Sequence, residues 1–470
     1  MRQRPSGGRP VAMIDRRRTV NPPSPPEPPG LFDGVFAAGE IRHRVSDGAW
    51  LRALLDAEGA LARAQGAAGL IPAAAAARIT EVCATARPST AELGAAAAGG
   101  GNPVIPLVSW LRTAVGADAA DHVHHGATSQ DIMDTAAMLV AHRALGAVLA
   151  DLRAVRTALA ALAAEHRDTP MAARTLLQQA LPTTFGLVAA GWLSGVAAAA
   201  DRLAEVRARR LAAQLGGAAG TLASFGPAGP ALVEAYAAEL GLAAPALPWH
   251  TERTRIAELA GALGGAAGAL AKPARDITLL AQTEVGELAE VGPPGSGGSS
   301  ALPHKRNPIA AVSVLAAAAQ APGEAASLLA AMVHEHQRAA GAWHAEWPPL
   351  RRLLTATGSA AHWLRTSLER LHVDAPRMRA NLDLTGGLLL AERVTADLAP
   401  ELGRAAAREL VTRAAAAGGD LAGALAAELA RCGGPHRTPA AIASLLDPAG
   451  YLGAAAQLTD RTVRSQREEA

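Results

Sequence analysis

The sequence predicts an all-α protein organised around a bundle of very long helices. Half of its 470 residues are apolar but only 3% are aromatic, and the dominant residue, alanine, has the highest helix propensity. Five apolar-periodic segments of about 28 to 39 residues occupy the middle of the chain, and each would span roughly 40–60 Å as a helix. Helices of that length need one another to bury their apolar faces, which favours an elongated and often multimeric bundle.

The order of the segments predicts four regions. Residues 1–30 are rich in proline and arginine and are expected to be disordered. Residues 31–128 are expected to form an N-terminal helical domain, 129–372 the central bundle, and 373–470 a small C-terminal helical domain. Pro273 lies inside the third long segment and is expected to kink it. The five long segments are 130–166, 178–214, 252–290, 306–340 and 345–372.

Composition argues against several classes of function. The 44 basic residues are balanced by 42 acidic ones, and the arginines are scattered, so no nucleic-acid-binding surface is indicated. No apolar signal segment follows the basic N-terminus, and the most apolar stretch, residues 186–200, is short for a membrane span. Cys83 and Cys432 have no ligand-like spacing and are expected to be buried apolar residues in a reducing compartment. We therefore expect a cytoplasmic protein with no membrane partner.

Three polar clusters interrupt the helical segments: H-H-G-A-T-S-Q-D at 124–131, R-T-L-L-Q-Q at 174–179, and G-S-G-G-S-S-A-L-P-H-K-R-N-P at 295–308. Helix capping accounts for Thr128 and Ser129 but explains the paired histidines and glutamines poorly. A metal site is a weak alternative, because no carboxylate or cysteine completes the histidine cluster around His124 with ligand spacing. Ser299 lacks the surroundings of a nucleophilic serine.

The third cluster is a glycine- and serine-rich loop that leads into a basic turn at the start of a helix. Backbone N–H groups and nearby cations both favour negative charge, so the segment suits a lid over an anion. The chain contains only two lysines, Lys272 and Lys305, and uses arginine elsewhere. A lysine inside this loop indicates a compact cation chosen for its chemistry.

The three clusters resemble, in order, the characteristic regions of the fumarase/aspartase superfamily, which includes fumarase, argininosuccinate lyase and adenylosuccinate lyase. The resemblance covers about residues 31–410. It implies a three-domain all-α fold with a long central five-helix bundle. It also implies a homotetramer with a twenty-helix core, in which three subunits build each active site.

Within the superfamily, the chain is more similar to the cycloisomerases that act on 3-carboxy-cis,cis-muconate than to the lyases. The lyases carry a catalytic histidine directly after Arg-Thr in the second cluster, and this chain has Leu176 there, which cannot transfer a proton. The resemblance implies lactonisation to 4-carboxymuconolactone, in protocatechuate catabolism by the β-ketoadipate pathway. An adenylosuccinate- or argininosuccinate-type lyase and a non-catalytic helical scaffold are the alternatives.

The resemblance also implies a set of site residues without a metal or organic cofactor. Ser299 corresponds to the catalytic acid/base, His124 is a second acid/base candidate, and Lys305 would stabilise the developing negative charge. The remaining candidates would bind the carboxylates of a small tricarboxylate substrate, and they are Thr128, Ser129, Gln130, Thr175, Gln178, Ser300, Asn307 and Arg338. The chain departs from the cycloisomerase pattern at His125, Gly386 and Arg408, which bears on substrate choice.

Overall fold

The computed structural model describes residues 30–293, 297–298, 302, 304–417 and 420–468. Residues 1–29, most of the predicted disordered extension, lie outside these ranges. The N-terminal part consists of seven helices, and the third is the longest. They are α1 Asp33–Phe36, α2 Ile41–Arg44, α3 Asp47–Ala67, α4 Ala73–Thr85, α5 Thr90–Gly100, α6 Val104–Val115 and α7 Ala117–Ala120.

Long helices form the centre of the molecule, and the longest contains 37 residues. This helix, Ser129–Glu165, rises about 1.5 Å per residue and so spans ~55 Å. The central helices are α8 Ser129–Glu165, α9 Phe185–Arg209, α10 Gly229–Leu240, α11 Thr254–Leu280, α12 Ile309–Ala318, α13 Ala321–Ala330, α14 Ala342–Ala345 and α15 Trp347–Glu369.

Short helices follow the bundle, and two small antiparallel sheets lie among the helices. The last helices are α16 Ala375–Leu382, α17 Ala391–Leu402, α18 Arg404–Ala416, α19 Leu421–Arg431, α20 Pro439–Leu445 and α21 Ala455–Glu468. The paired strands are β1 Pro170–Thr175 with β2 Gln178–Thr184, and β3 Leu288–Glu290 with β4 Leu371–Val373.

The prediction of an all-α protein with a long-helix bundle is confirmed, but three of the predicted segments differ in detail. Residues 178–184 form strand β2, so the second long helix begins only at Phe185. The third helix continues through Pro273 and ends at Leu280. The fourth segment breaks between α12 and α13, where Pro322 occupies the first turn of the second helix.

Three apolar clusters of buried residues lie in the described part of the chain. The largest joins the N-terminal helices to the bundle and reaches Val463 in α21, and a second fills the space between α17, α18, α19 and α20. The smallest joins Ala172 of β1 to Leu382, Leu389 and Leu390. Arg167 binds Asp460 through Nε and Nη2, at 2.8 and 2.9 Å, and so ties α21 to the end of α8. The last helix therefore returns to the bundle. The exact limits of the three predicted domains stay a prediction.

Three helical stretches are long and apolar enough, by length and composition alone, to cross a membrane: Ser129–Glu165, Phe185–Arg209 and Ile309–Ala330. The apolar window of the first is 72% buried within the protein, against 44% and 39% for the other two. Apolar residues in α8 thus serve mainly the internal core of the bundle.

The expectation for the cysteines is right for one residue only. Cys83 is buried in α4, and desolvation by burial raises the pKa of its thiol to about 12. Cys432 is exposed, because it follows the last residue of α19 at the surface. The prediction that it is buried is wrong.

Candidate active site

The first polar cluster lies at the N-terminal end of α8 and packs on helix α3. Nδ1 of His124 is 2.6 Å from Oε1 of Glu58, whose side chain is almost completely buried. Burial alone would lower the pKa of His124, but the charge of Glu58 and its hydrogen bond outweigh burial and raise that pKa above its ordinary value. A protonated imidazole is therefore favoured at this position.

The turn after His124 is fixed by Asp131, a buried residue in the first turn of α8. Its two carboxylate oxygens accept hydrogen bonds from the N–H groups of Gly216 and Gly217, both at 2.9 Å. His250 approaches Oδ1 of Asp131 to 2.6 Å, and the Thr128 N–H donates to Oδ2 at 3.0 Å. Asp131 therefore joins three separate stretches of chain at one end of the bundle.

Gly126 in the same turn has a positive φ of 70°. A Cβ atom there would lie 2.5 Å from Cε1 of Phe225. A larger residue would therefore clash with the Phe225 ring and would also have a strained backbone. The glycine of the first cluster is thus required by its backbone conformation and by the loop that covers it.

A second group of buried charged residues surrounds Asp134, near the start of α8. Asp134 accepts hydrogen bonds from both terminal nitrogens of Arg253, at 2.9 and 3.1 Å, and from Nε1 of Trp343 at 3.0 Å. Arg253 also binds Glu346 through Nε and Nη2. Burial would raise the pKa of Asp134, but Arg253 outweighs burial and holds that pKa below its ordinary value. Because each charge is paired, the cluster is a rigid support for the site.

Four candidate binding residues lie at this end of the bundle. Thr128 precedes α8, Ser129 is its first residue, and both are partly exposed. Gln130 is buried, and its amide nitrogen donates to Asp134 and to the carbonyl of His250, while its Oε1 has no hydrogen-bond partner within the described residues. Arg338 donates through Nη2 to the carbonyl oxygens of Gly217 and Ala218, at 2.6 and 3.1 Å.

The second cluster forms the tip of the β1–β2 hairpin, beyond the opposite end of α8. Thr175 pairs with Gln178, and only Leu176 and Leu177 lie between the strands. Both leucines have positive φ, 51° and 66°, and their exposed fractions are 97% and 75%. Thr175 and Gln178 are also exposed. Large apolar side chains rarely adopt this backbone conformation or this exposure, which sets the tip apart.

Buried polar contacts hold the hairpin to the end of the bundle. Arg174 forms a two-pronged ion pair with Glu287, with nitrogen–oxygen distances of 2.6 and 2.9 Å. Asn381 donates to the same carboxylate at 2.7 Å, and its carbonyl accepts a hydrogen bond from Gln179. Arg174 thus has a structural role that the sequence motif alone did not indicate.

The third cluster lies at the same end as the hairpin, before α12. The backbone N–H of Asn307 donates to the carbonyl of Gly297 at 2.8 Å, and its side-chain Nδ2 donates to that oxygen at 3.1 Å. Lys305 is exposed. Glu290 accepts from the N–H groups of Ala310 and Ala311, both at 2.9 Å, and so neutralises the N-terminus of α12. Ser299 and Ser300 lie outside the described residues.

One chain therefore carries the candidate residues in two separate groups. His124, Thr128, Ser129, Gln130 and Arg338 lie at one end of the bundle, and Thr175, Gln178, Lys305 and Asn307 lie at the other. Helix α8, which is ~55 Å long, runs between the first cluster and the end of the bundle that carries the hairpin. A single substrate of the expected size cannot bridge that distance within one chain.

Sequence reasoning missed the carboxylates that hold the three clusters. Glu58, Asp131, Glu287 and Glu290 are each at least half-buried and each accept hydrogen bonds from or near a motif residue. Asp131 stands within the first motif, but its role as a hub depends on Gly216 and His250, which are remote in sequence. An acidic residue inside an apolar helical stretch, such as Glu58 in α3, was the available signal.

A family model described as "Lyase" matches residues 37–323, and one described as "Adenylosuccinate lyase C-terminus" matches residues 387–462. The first match covers more than half of the chain and all three polar clusters. The chain belongs to the fumarase/aspartase superfamily. The resemblance of the three motifs to this superfamily is thereby confirmed.

Named members of the superfamily are similar along nearly the whole chain. A nitrosuccinate lyase of Streptomyces davaonensis is 49% identical over 92% of this chain and 94% of its own length. A 3-carboxy-cis,cis-muconate cycloisomerase of Bradyrhizobium diazoefficiens is 46% identical over 93% of this chain and 98% of its own length. The crystal structure of the 3-carboxy-cis,cis-muconate lactonizing enzyme from Pseudomonas putida has a TM-score of 0.87 and 43% identity, covering 94% of this chain and all of that one.

Proposed function

We propose that this protein is a cycloisomerase that converts 3-carboxy-cis,cis-muconate to 4-carboxymuconolactone in the cytoplasm. The observation that carries the proposal is Leu176, an aliphatic residue at the position where the lyases of the superfamily have an acid–base histidine. Relatives named as this cycloisomerase, at 46% and 44% identity over more than nine-tenths of the chain, support it and agree with the sequence-based prediction.

The proposed reaction needs a stabilised anion and one proton donor. A carboxylate oxygen of the substrate adds to the conjugated double bond, and the electron pair moves into the neighbouring carboxylate to give an enediolate. The enediolate then takes a proton on carbon. Lys305 and the backbone N–H groups of the loop would stabilise the enediolate, and Ser299 or His124 would supply the proton. Arg338, Thr128 and Gln178 are among the residues that would bind carboxylates.

We also propose a homotetramer whose active sites combine residues of different subunits. The distance between the two groups of candidate residues supports this assembly, since separate copies can bring opposite ends of the bundle together. Small residues support it too: they line a groove of about 500 Å³ between α9 and α11, where another helix can approach closely. These residues are Gly195, Ala198, Ala199, Gly261, Ala262, Gly265, Ala266 and Ala269.

A direct assay tests the proposed activity. The purified protein should remove the ultraviolet absorbance of 3-carboxymuconate, with lactone as the product. Replacing Ser299 or Lys305 by alanine should lower turnover by about two orders of magnitude or more, because a proton donor or the charge on the enediolate is lost. Lys272→Ala is the control, since Lys272 is exposed and pairs with Asp276 on α11. Absence of turnover by a folded oligomer would refute the proposal.

Elimination of nitrite from nitrosuccinate is a second candidate, and the 49% identity to the Streptomyces enzyme favours it. That reaction gives fumarate and passes through the same kind of carbanion next to a carboxylate. The two candidates are separated by offering each substrate and measuring nitrite and fumarate for one, and loss of muconate absorbance for the other. Absence of turnover with both substrates, and with adenylosuccinate and argininosuccinate, would support a structural role for this protein.

A further inference from the structure

Glu58 is a buried carboxylate in direct contact with a candidate proton donor, and the motifs of the superfamily do not include it. It lies in the middle of α3, where its side chain has an exposed fraction of 1%. Its Oε1 is 2.6 Å from Nδ1 of His124, whose side chain is 14% exposed. An isolated carboxylate is rarely buried this deeply, so the ion pair with His124 is what makes the position tolerable.

Charged groups on the neighbouring elements favour the same state of the imidazole. The negative charge of Asp131 on α8, like that of Glu58, raises the pKa of His124, and the positive charge of Arg112 on α6 lowers it. His122 and His125 flank the residue in its own loop. Two carboxylates thus face His124 against one guanidinium, and the nearer carboxylate is in hydrogen-bond contact.

The backbone at His124 is itself unusual, because its φ is 61° and the residue is not glycine. A side chain held in the left-handed region needs contacts that fix it there. The bond from Nδ1–H to Glu58 is such a contact. It selects the orientation of the ring and leaves Nε2 as the nitrogen that can interact with a bound molecule.

We propose that Glu58 is a positioning residue for His124: its carboxylate fixes the imidazole through Nδ1–H and favours the charged form of the ring, so that Nε2–H can serve a carboxylate substrate. This role rests on the proposed function, because it gives His124 a task at an anionic substrate. A neutral imidazole in the same orientation would donate its one N–H to Glu58. Its Nε2 would then carry no proton to give to the substrate.

Hydrogen–deuterium exchange at the imidazole C2 position, followed by mass spectrometry across pH, measures the titration of His124 without requiring activity. In the wild type, the titration midpoint should lie above the ordinary histidine value. In Glu58→Gln it should fall by about one pH unit or more, because the attractive charge is removed while burial remains. Glu58→Asp keeps the charge and should retain part of the shift, which also covers the case in which the glutamine variant does not fold.

Turnover gives the second readout. Glu58→Gln should lower kcat/KM at neutral pH by about tenfold or more, and the loss should shrink as the pH is lowered and the imidazole protonates. In a His124→Gln background, Glu58→Gln should cost nothing further, since it acts through His124. An unchanged His124 titration in Glu58→Gln, or an equal loss in both backgrounds, would overturn the proposal. If the protein turns over neither substrate, the proposed activity fails, while the exchange measurement still decides the role of Glu58.

Discussion

The turn formed by Leu176 and Leu177 has a backbone conformation and an exposure that are unusual for leucine. Two-residue hairpin turns with positive φ at both central residues are normally built from Asn-Gly or Asp-Gly. Here two leucines occupy the turn at φ 51° and 66°, almost fully exposed. Left-handed backbone costs a residue with a side chain about 1–2 kcal/mol. This cost fits the proposed assembly, in which the two side chains would contact another subunit.

The first prediction replaces this turn by Leu176→Asn together with Leu177→Gly. The free energy of unfolding of the subunit should change little or increase by about 1 kcal/mol, because the new pair suits the turn. Turnover should nevertheless fall at least about tenfold, because the proposed contact of these apolar side chains with another subunit, beside Thr175 and Gln178, is lost. Denaturant unfolding and initial rates measure the two effects. Leu247→Asn, at another exposed leucine, is the matched control and should leave both unchanged.

Hydrogen bonds to the carboxylate of Glu290 fix the start of α12, the helix that follows the third cluster. Glu290, at the end of β3, accepts hydrogen bonds from two N–H groups in the first turn of α12 and from the hydroxyl of Ser367 at 2.6 Å. Helix α12 begins two residues after Asn307. The carboxylate therefore fixes the start of this helix, and with it the direction from which the basic turn enters.

The second prediction tests this contact with Glu290→Ala. Loss of a charged cap should lower the free energy of unfolding by about 1–2 kcal/mol. Turnover should fall as well, because the loop before α12 is no longer aligned, and the fall should appear mainly in kcat. Thermal unfolding and steady-state kinetics report these changes. Glu40→Ala removes an exposed ion pair with Arg44 and should shift stability by no more than about 0.5 kcal/mol. Equal behaviour of the two variants would contradict the assigned role.

At the scale of the whole molecule, the bundle separates residues that the proposed active site would bring together. His124 lies at one end of α8, and the hairpin and the basic loop lie at the other. Helices α11 and α15 span the same two ends: Asp131 contacts His250 before α11, and Glu287 after α11 contacts Arg174. Within one chain, the length of the bundle therefore keeps the two groups of candidate residues apart.

The third prediction uses two variants that should each retain only residual activity. His124→Gln removes a residue at one end of the bundle, and Lys305→Ala removes one at the other. If subunits share sites as proposed, co-refolded mixtures should recover up to about one quarter of wild-type activity, since random assembly places both intact groups in that share of sites. Rates are compared with those of each variant refolded alone. Mixtures that stay inactive, although mixed oligomers form, would contradict shared sites.

The sequence by itself determined the helical class, the long bundle and the superfamily. Helical periodicity, alanine content and contiguous motifs are local features, and each is complete within a few turns or a short loop. Leu176 could likewise be interpreted from its place in a motif. The β1–β2 hairpin was missed because strand pairing depends on the partner strand as much as on its own residues.

Only the tertiary structure decided how the motifs are supported and how far apart they lie. The Glu58–His124 pair joins residues 66 positions apart, and the Arg174–Glu287 pair joins residues 113 apart. No periodic pattern specifies such contacts, because they arise when rigid helices pack and bring remote positions together. The division of the candidate site between the two ends of the bundle has the same origin. It follows from the length of α8, which the sequence predicted, and from the direction in which each neighbouring helix returns, which it did not.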